Sequence, residues 1–109
     1  MGLSPYRSMW LIAMFDLPVD TPTARKEYAR FRKALIKDGF MMLQFSVYAR
    51  FCASEEAAAV HRKRIREALP PHGQVRVAGL TDVQFGKMEV YSGKKREKVE
   101  DEPHQLELF

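Results

Sequence analysis

Cysteine is almost missing from this chain: Cys52 is the single one in 109 residues. That excludes an intramolecular disulfide and suits a reducing cytosol, so a cytoplasmic protein is expected. Histidine is sparse as well. His61, His72 and His104 are scattered, and no Cys/His cluster has zinc spacing. No apolar run is long enough to span a bilayer, and nothing at the N-terminus reads as a signal peptide. Internal repeats and low-complexity stretches are absent too. What remains is a composition of 46% hydrophobic and 29% charged residues, which fits one folded domain with a modest core.

The net charge of +4 hides an asymmetry. Residues 1–96 carry +8 and residues 97–109 carry −4. A basic body with an acidic tail points to a polyanionic partner for the body, against the plainer alternative of solubilising surface charge.

Along the chain, residues 9–16 read as a strand that is apolar on both faces. Trp10, Ile12 and Met14 lie on one side, and Leu11, Ala13 and Phe15 on the other. Such a strand wants cover on both faces. Helices supply one cover, and in so short a chain a second subunit is expected to supply the other, through Trp10, Ile12 and Met14. Residues 22–38 read as a helix, with Thr21 as N-cap, Pro22 in the first turn and Gly39 as terminator. Its buried stripe is Ala24, Tyr28, Phe31 and Leu35. A second stripe, Lys26, Arg30, Lys33 and Lys37, is purely basic and is supplemented by Arg25 and Arg32. Like charges four residues apart slightly destabilise a helix, so a phosphate-binding face is the favoured reading over a merely solvated one.

Residues 40–52 read alone as one long strand, although a sharp turn near Gln44–Ser46 is the alternative; no Gly or Asn marks it. Ser54 caps a second helix over 55–69, with Ala58, His61, Ile65 and Leu69 as its buried side. Two further strands, Val75–Leu80 and Met88–Tyr91, end at Ser92-Gly93. The order of elements indicates an α+β sandwich, two helices on one face of a sheet. Beyond Gly93, Lys94–Pro103 reads as a charged linker. Leu106, Leu108 and Phe109 then alternate as a short docking strand would, against the alternative of a loose chain end.

Asp16 ends the first strand where a turn, Leu17-Pro18-Val19-Asp20-Thr21-Pro22, begins. A carboxylate there costs desolvation unless it meets solvent, a metal or a phosphate-bearing partner. The simpler alternative is a cap on the following turn. No histidine lies near it in sequence to act as a base.

Phe15-Asp16-Leu17-Pro18, Arg25-Lys26, Phe31-Arg32-Lys33-Ala34-Leu35, Asp38-Gly39-Phe40, Gln44-Phe45-Ser46-Val47-Tyr48, Val75-Arg76-Val77 and Thr81-Asp82-Val83-Gln84-Phe85 follow in order. Together they resemble the second CRISPR-associated adaptation protein, the small partner of the integrase in spacer acquisition, most closely in its type II form. The resemblance implies a ferredoxin-like domain over 1–93, with 94–109 as linker and docking tail, and a two-fold homodimer. It implies a tight hairpin within 40–52. It also implies a magnesium-dependent endonuclease with Asp16 as metal-binding and catalytic residue facing its symmetry mate, and a dimer that supports a double-stranded DNA protospacer between integrase subunits. Three classes stay in play: a DNA-binding adaptation scaffold, a metal-dependent nuclease, and a noncatalytic RNA-binding or regulatory dimer.

Overall fold

A computed structural model describes residues 8–103. The chain runs β1 (Met9–Asp16), α1 (Pro22–Lys37), β2 (Met41–Gln44), β3 (Val47–Cys52), α2 (Glu55–Ala68), β4 (Gln74–Thr81), α3 (Asp82–Gly86), β5 (Val90–Ser92) and β6 (Lys95–Glu97). The main sheet has the order β2-β3-β1-β4, with antiparallel pairing throughout. This is the ferredoxin-like βαββαβ arrangement, with α1 and α2 on one face.

Local signals start each helix. The Thr21 hydroxyl accepts from the Ala24 amide at 3.0 Å, and Pro22 occupies the first turn of α1. Ser54 does the same for α2, accepting from Ala57 at 3.0 Å. Gly39, at φ +90°, lets the chain leave α1 in a conformation that side chains resist. The helix-side core joins Leu11, Ala13 and Phe15 of β1 to Phe31 and Leu35 of α1, Tyr48 and Cys52 of β3, and Ala58 and Ile65 of α2. The expected α2 stripe is corrected at its end: Leu69 is exposed, because α2 stops at Ala68.

Of the two readings of 40–52, the tight hairpin that the resemblance implies is the one found, β2 pairing with β3. The chain turns at Phe45–Ser46. Ser46 sits at φ +62°, which costs a non-glycine residue about 1 kcal/mol. Tertiary bonds hold it there: its carbonyl accepts from the Phe15 amide at 3.0 Å, and its hydroxyl lies 3.0 Å from the Tyr28 hydroxyl.

The opposite face of β1 is covered by its own chain. Trp10 and Ile12 are buried with Ala49 and Phe85, and Leu80, Met88 and Val99 pack around them. Phe85 comes from α3, a helix that the sequence pattern does not predict. Thr81 and Gln84 form its capping box. The indole of Trp10 stacks on Phe85 at 4.0 Å between centroids and donates to Asp82 Oδ1 at 2.9 Å. The need for a second subunit to cover Trp10, Ile12 and Met14 therefore disappears as an argument; of the three, only Met14 is half-exposed. The boundary expected at Gly93 falls on the turn of a β5–β6 hairpin, so Lys95–Glu97 is paired strand rather than linker. Leu106, Leu108 and Phe109 lie outside the described residues.

Replacing Phe85 with Ala removes the cover of Trp10. The expected cost is about 3 kcal/mol. A lower thermal midpoint and a red-shifted emission from the sole tryptophan, seen by fluorescence melting, check it; an unchanged midpoint contradicts this account of the second core.

Candidate nucleic-acid-binding and metal-binding faces

Asp16 is the last residue of β1, paired in register with Gln74, and it is exposed. Its parity is that of Trp10, Ile12 and Met14, so it belongs to the sheet face away from α1 and α2. Neighbours fix this strand end. Leu17 is buried in the helix-side core. Gly73, at φ +91°, lies so close that a Cβ there would stand 2.6 Å from the Asp16 carbonyl oxygen. The turn that follows is secured by other groups: Thr21 caps α1, and Arg25 Nη1 donates to the Val19 carbonyl at 2.9 Å. Asp20 is exposed just before that cap.

Among the described residues, no three His, Cys, Asp or Glu side chains gather to hold a metal ion. Asp16 is therefore not part of a three-ligand cluster within the described residues. A carboxylate with open solvent around it suits magnesium, which keeps several waters and takes one or two carboxylates, rather than zinc. Cys52 is buried, which counts against a nucleophilic role. Burial pushes the Cys52 thiol above its ordinary range, an effect that Arg50 only partly offsets, which disfavours the thiolate.

The basic residues expected on α1 are all exposed, but they are not equivalent. Arg30 Nε binds Glu27 at 2.9 Å and its Nη2 reaches the Leu69 carbonyl at 3.4 Å. Arg25 is tied to the turn. Lys26, Lys33 and Lys37 share the side of α1 turned away from buried Phe31 and Leu35. Arg32 lies off this stripe, on the same side as Arg25. α1 covers the sheet face opposite Asp16. The fold therefore does not bring the basic stripe and the carboxylate onto one surface.

A polar cluster that sequence reasoning did not assemble stands between the helices. Asp38 caps the C-terminus of α1. Its carboxylate accepts from His61 Nδ1 at 2.7 Å and from Arg64 Nη1 at 2.6 Å, and its carbonyl accepts from Arg50 Nε at 2.8 Å. His61 is thus a packed core histidine, as its place in the α2 stripe suggested. A hollow of about 540 Å³ opens beside the start of α1, between Leu17, Ala24, Tyr28 and Pro71. Asp16 is not among its walls, so it is a gap in the helix layer and adds nothing to the carboxylate's surroundings.

The family model for CRISPR associated protein Cas2 matches residues 9–88. The chain belongs to that family. Similar Cas2 proteins include the "CRISPR-associated endoribonuclease Cas2" of Parvibaculum lavamentivorans, 59% identical over 101 residues that span 93% of this chain and all of the relative. The protein of the same name from Flavobacterium psychrophilum is 53% identical over 107 residues, covering 98% of this chain and 93% of the relative. A solved structure described as "Crystal structure of cas2" superposes with a TM-score of 0.56 at 18% identity, covering 88% of this chain and 99% of that one. That likeness agrees on the fold. The Cas2 resemblance carried by the ordered motifs is thereby established.

The two aspartates should separate by stability. Asp38→Ala strips buried His61 and exposed Arg64 of their shared acceptor, and is expected to cost about 2 kcal/mol. Asp16→Asn, at an exposed strand end, should stay within about 0.5 kcal/mol of the parent. Urea unfolding of both variants measures this, and a large loss in Asp16→Asn would mean that Asp16 is structural.

Proposed function

We propose that this Cas2-family chain acts in CRISPR spacer acquisition as a cytoplasmic homodimer that holds double-stranded DNA for an integrase partner. We further propose that it carries a magnesium-dependent phosphodiesterase centred on Asp16. The observation that carries the reading is an exposed carboxylate at the end of the central strand of a Cas2 fold, backed by a basic helix on the other layer. Lys26, Lys33 and Lys37 are the main phosphate contacts, with Arg32 beside them. Arg25 and Arg30 contribute less, because the protein already occupies their guanidinium groups.

Since no three such side chains gather among the described residues of one copy, the metal site is completed by a second copy's Asp16. The two carboxylates would repel each other without a cation between them, which ties metal affinity to dimer formation. Magnesium bound there would polarise a phosphoryl oxygen and orient a water for attack. Asp16 holds its place through the tight Gly73 contact. Half-exposed Met14, with the similarly half-buried Leu43, Val47, Phe51 and Leu80, offers apolar surface on that face for a subunit contact.

RNA as the polymer cut is a second reading, favoured by the name "endoribonuclease" borne by the relatives. Duplex DNA and single-stranded RNA, each with magnesium or with chelator, separate the two. Asp16→Asn is expected to lower magnesium-dependent cleavage at least about 100-fold and leave duplex affinity nearly unchanged. Cutting at the parental rate would remove Asp16 from the chemistry. Loss of cutting with integration intact would leave the scaffold as the working role.

Duplex affinity should fall steeply with salt and vary little with sequence. Lys26→Ala/Lys33→Ala/Lys37→Ala should flatten the salt dependence by roughly 0.9 in slope for each phosphate no longer neutralised. An unchanged slope would place the duplex elsewhere. Sedimentation at micromolar concentration should give a dimer, and affinity purification should bring down the integrase; a monodisperse monomer would contradict the shared metal site.

A further inference from the structure

The sheet face away from α1 and α2 is apolar along most of its length and changes character at one end. Across it run Trp10, Ile12 and Met14 of β1, Phe51, Ala49 and Val47 of β3, and Leu80 and Ala78 of β4. The next position of β4 on this face is Arg76, directly opposite Met14; the pair after that is Asp16 with Gln74. Arg76 and Asp16 are therefore diagonal neighbours on the same face, roughly 7 Å apart by antiparallel geometry. Both are exposed. The ion pairs among the described residues lie elsewhere, at Arg30–Glu27, His61–Asp38, Arg64–Asp38, Lys63–Glu67 and Lys98–Asp101.

A carboxylate alone repels a phosphodiester. The cations of α1 cannot answer for it, since they stand on the other side of the sheet. Arg76 is the basic residue that the register brings beside Asp16 on its own face. Its planar fork matches two phosphate oxygens, which an ammonium group cannot do. We propose that Arg76 is a phosphate-binding residue of the Asp16 site, gripping the phosphodiester next to the carboxylate; this rests on the nuclease reading above. The competing role is that of a charge guarding the edge strand β4 against association.

The test uses the full chain, a labelled DNA duplex and a labelled single-stranded RNA. Binding is followed by anisotropy across a salt series in chelator, where nothing is cut, and cleavage is followed separately in magnesium. Arg76→Ala should flatten the duplex salt slope by roughly 0.9 for each phosphate that Arg76 neutralises. It should lower the cleavage rate about 100-fold with an unchanged melting midpoint. The slope change should persist in the Asp16→Asn background. Arg76→Lys should restore the slope and only part of the rate. If Arg76→Ala keeps both slope and rate while Asp16→Asn stops cutting, the nuclease reading stands and the Arg76 assignment falls. If Asp16→Asn cuts normally, or the parent does not cut, the nuclease reading falls and the slope alone decides whether Arg76 binds phosphate. Aggregation or altered sedimentation of Arg76→Ala with an unchanged slope overturns the proposal in favour of edge protection.

Discussion

Everything in this domain is arranged around the enclosure of β1. The strand is hydrogen-bonded along both edges, to β3 and to β4, and its side chains are buried on both faces. Leu11, Ala13 and Phe15 anchor the layer of α1 and α2, while Trp10 and Ile12 anchor α3. A strand so enclosed can offer function only at its ends. Asp16 is where the enclosure stops, and Gly73 packs against its backbone so closely that no side chain fits between. The carboxylate thus inherits its position from the most enclosed strand of the sheet.

The second organising contact is polar. Asp38 joins the end of α1 to α2 through His61 and Arg64, and to β3 through Arg50. Its carboxylate is largely buried and satisfied on both oxygens, whereas Asp16 is exposed at a strand end. The same side chain therefore fixes helix geometry in one place and faces solvent in the other. Environment, rather than residue type, separates the two roles.

How far the sequence reaches can be judged element by element. β1, α1 and α2 were legible because each has an apolar stripe of the right period and a clear cap or terminator. The turn at Ser46 was not legible from composition, because its positive φ is enforced by Phe15 and Tyr28 rather than by a glycine. α3 was missed although Thr81 and Gln84 carried a capping-box signal; at five residues it was too short to show a period. Missing it led to the expectation that another subunit must cover Trp10 and Ile12. The basic stripe was legible as charge. That Glu27 and the Val19 carbonyl engage Arg30 and Arg25 was not, since such bonds depend on side-chain placement. The face shared by Asp16 and Arg76 needed the β1–β4 register, which pattern alone does not supply.

The sheet places Asp16 and the lysines of α1 on opposite layers, separated by the core itself. The two surfaces are therefore subject to separate selection. Drift at the carboxylate end leaves the exposed lysines unchanged, and remodelling of the lysine face leaves the carboxylate where it was. A lineage built on this architecture can change either surface alone, because neither is a structural precondition of the other.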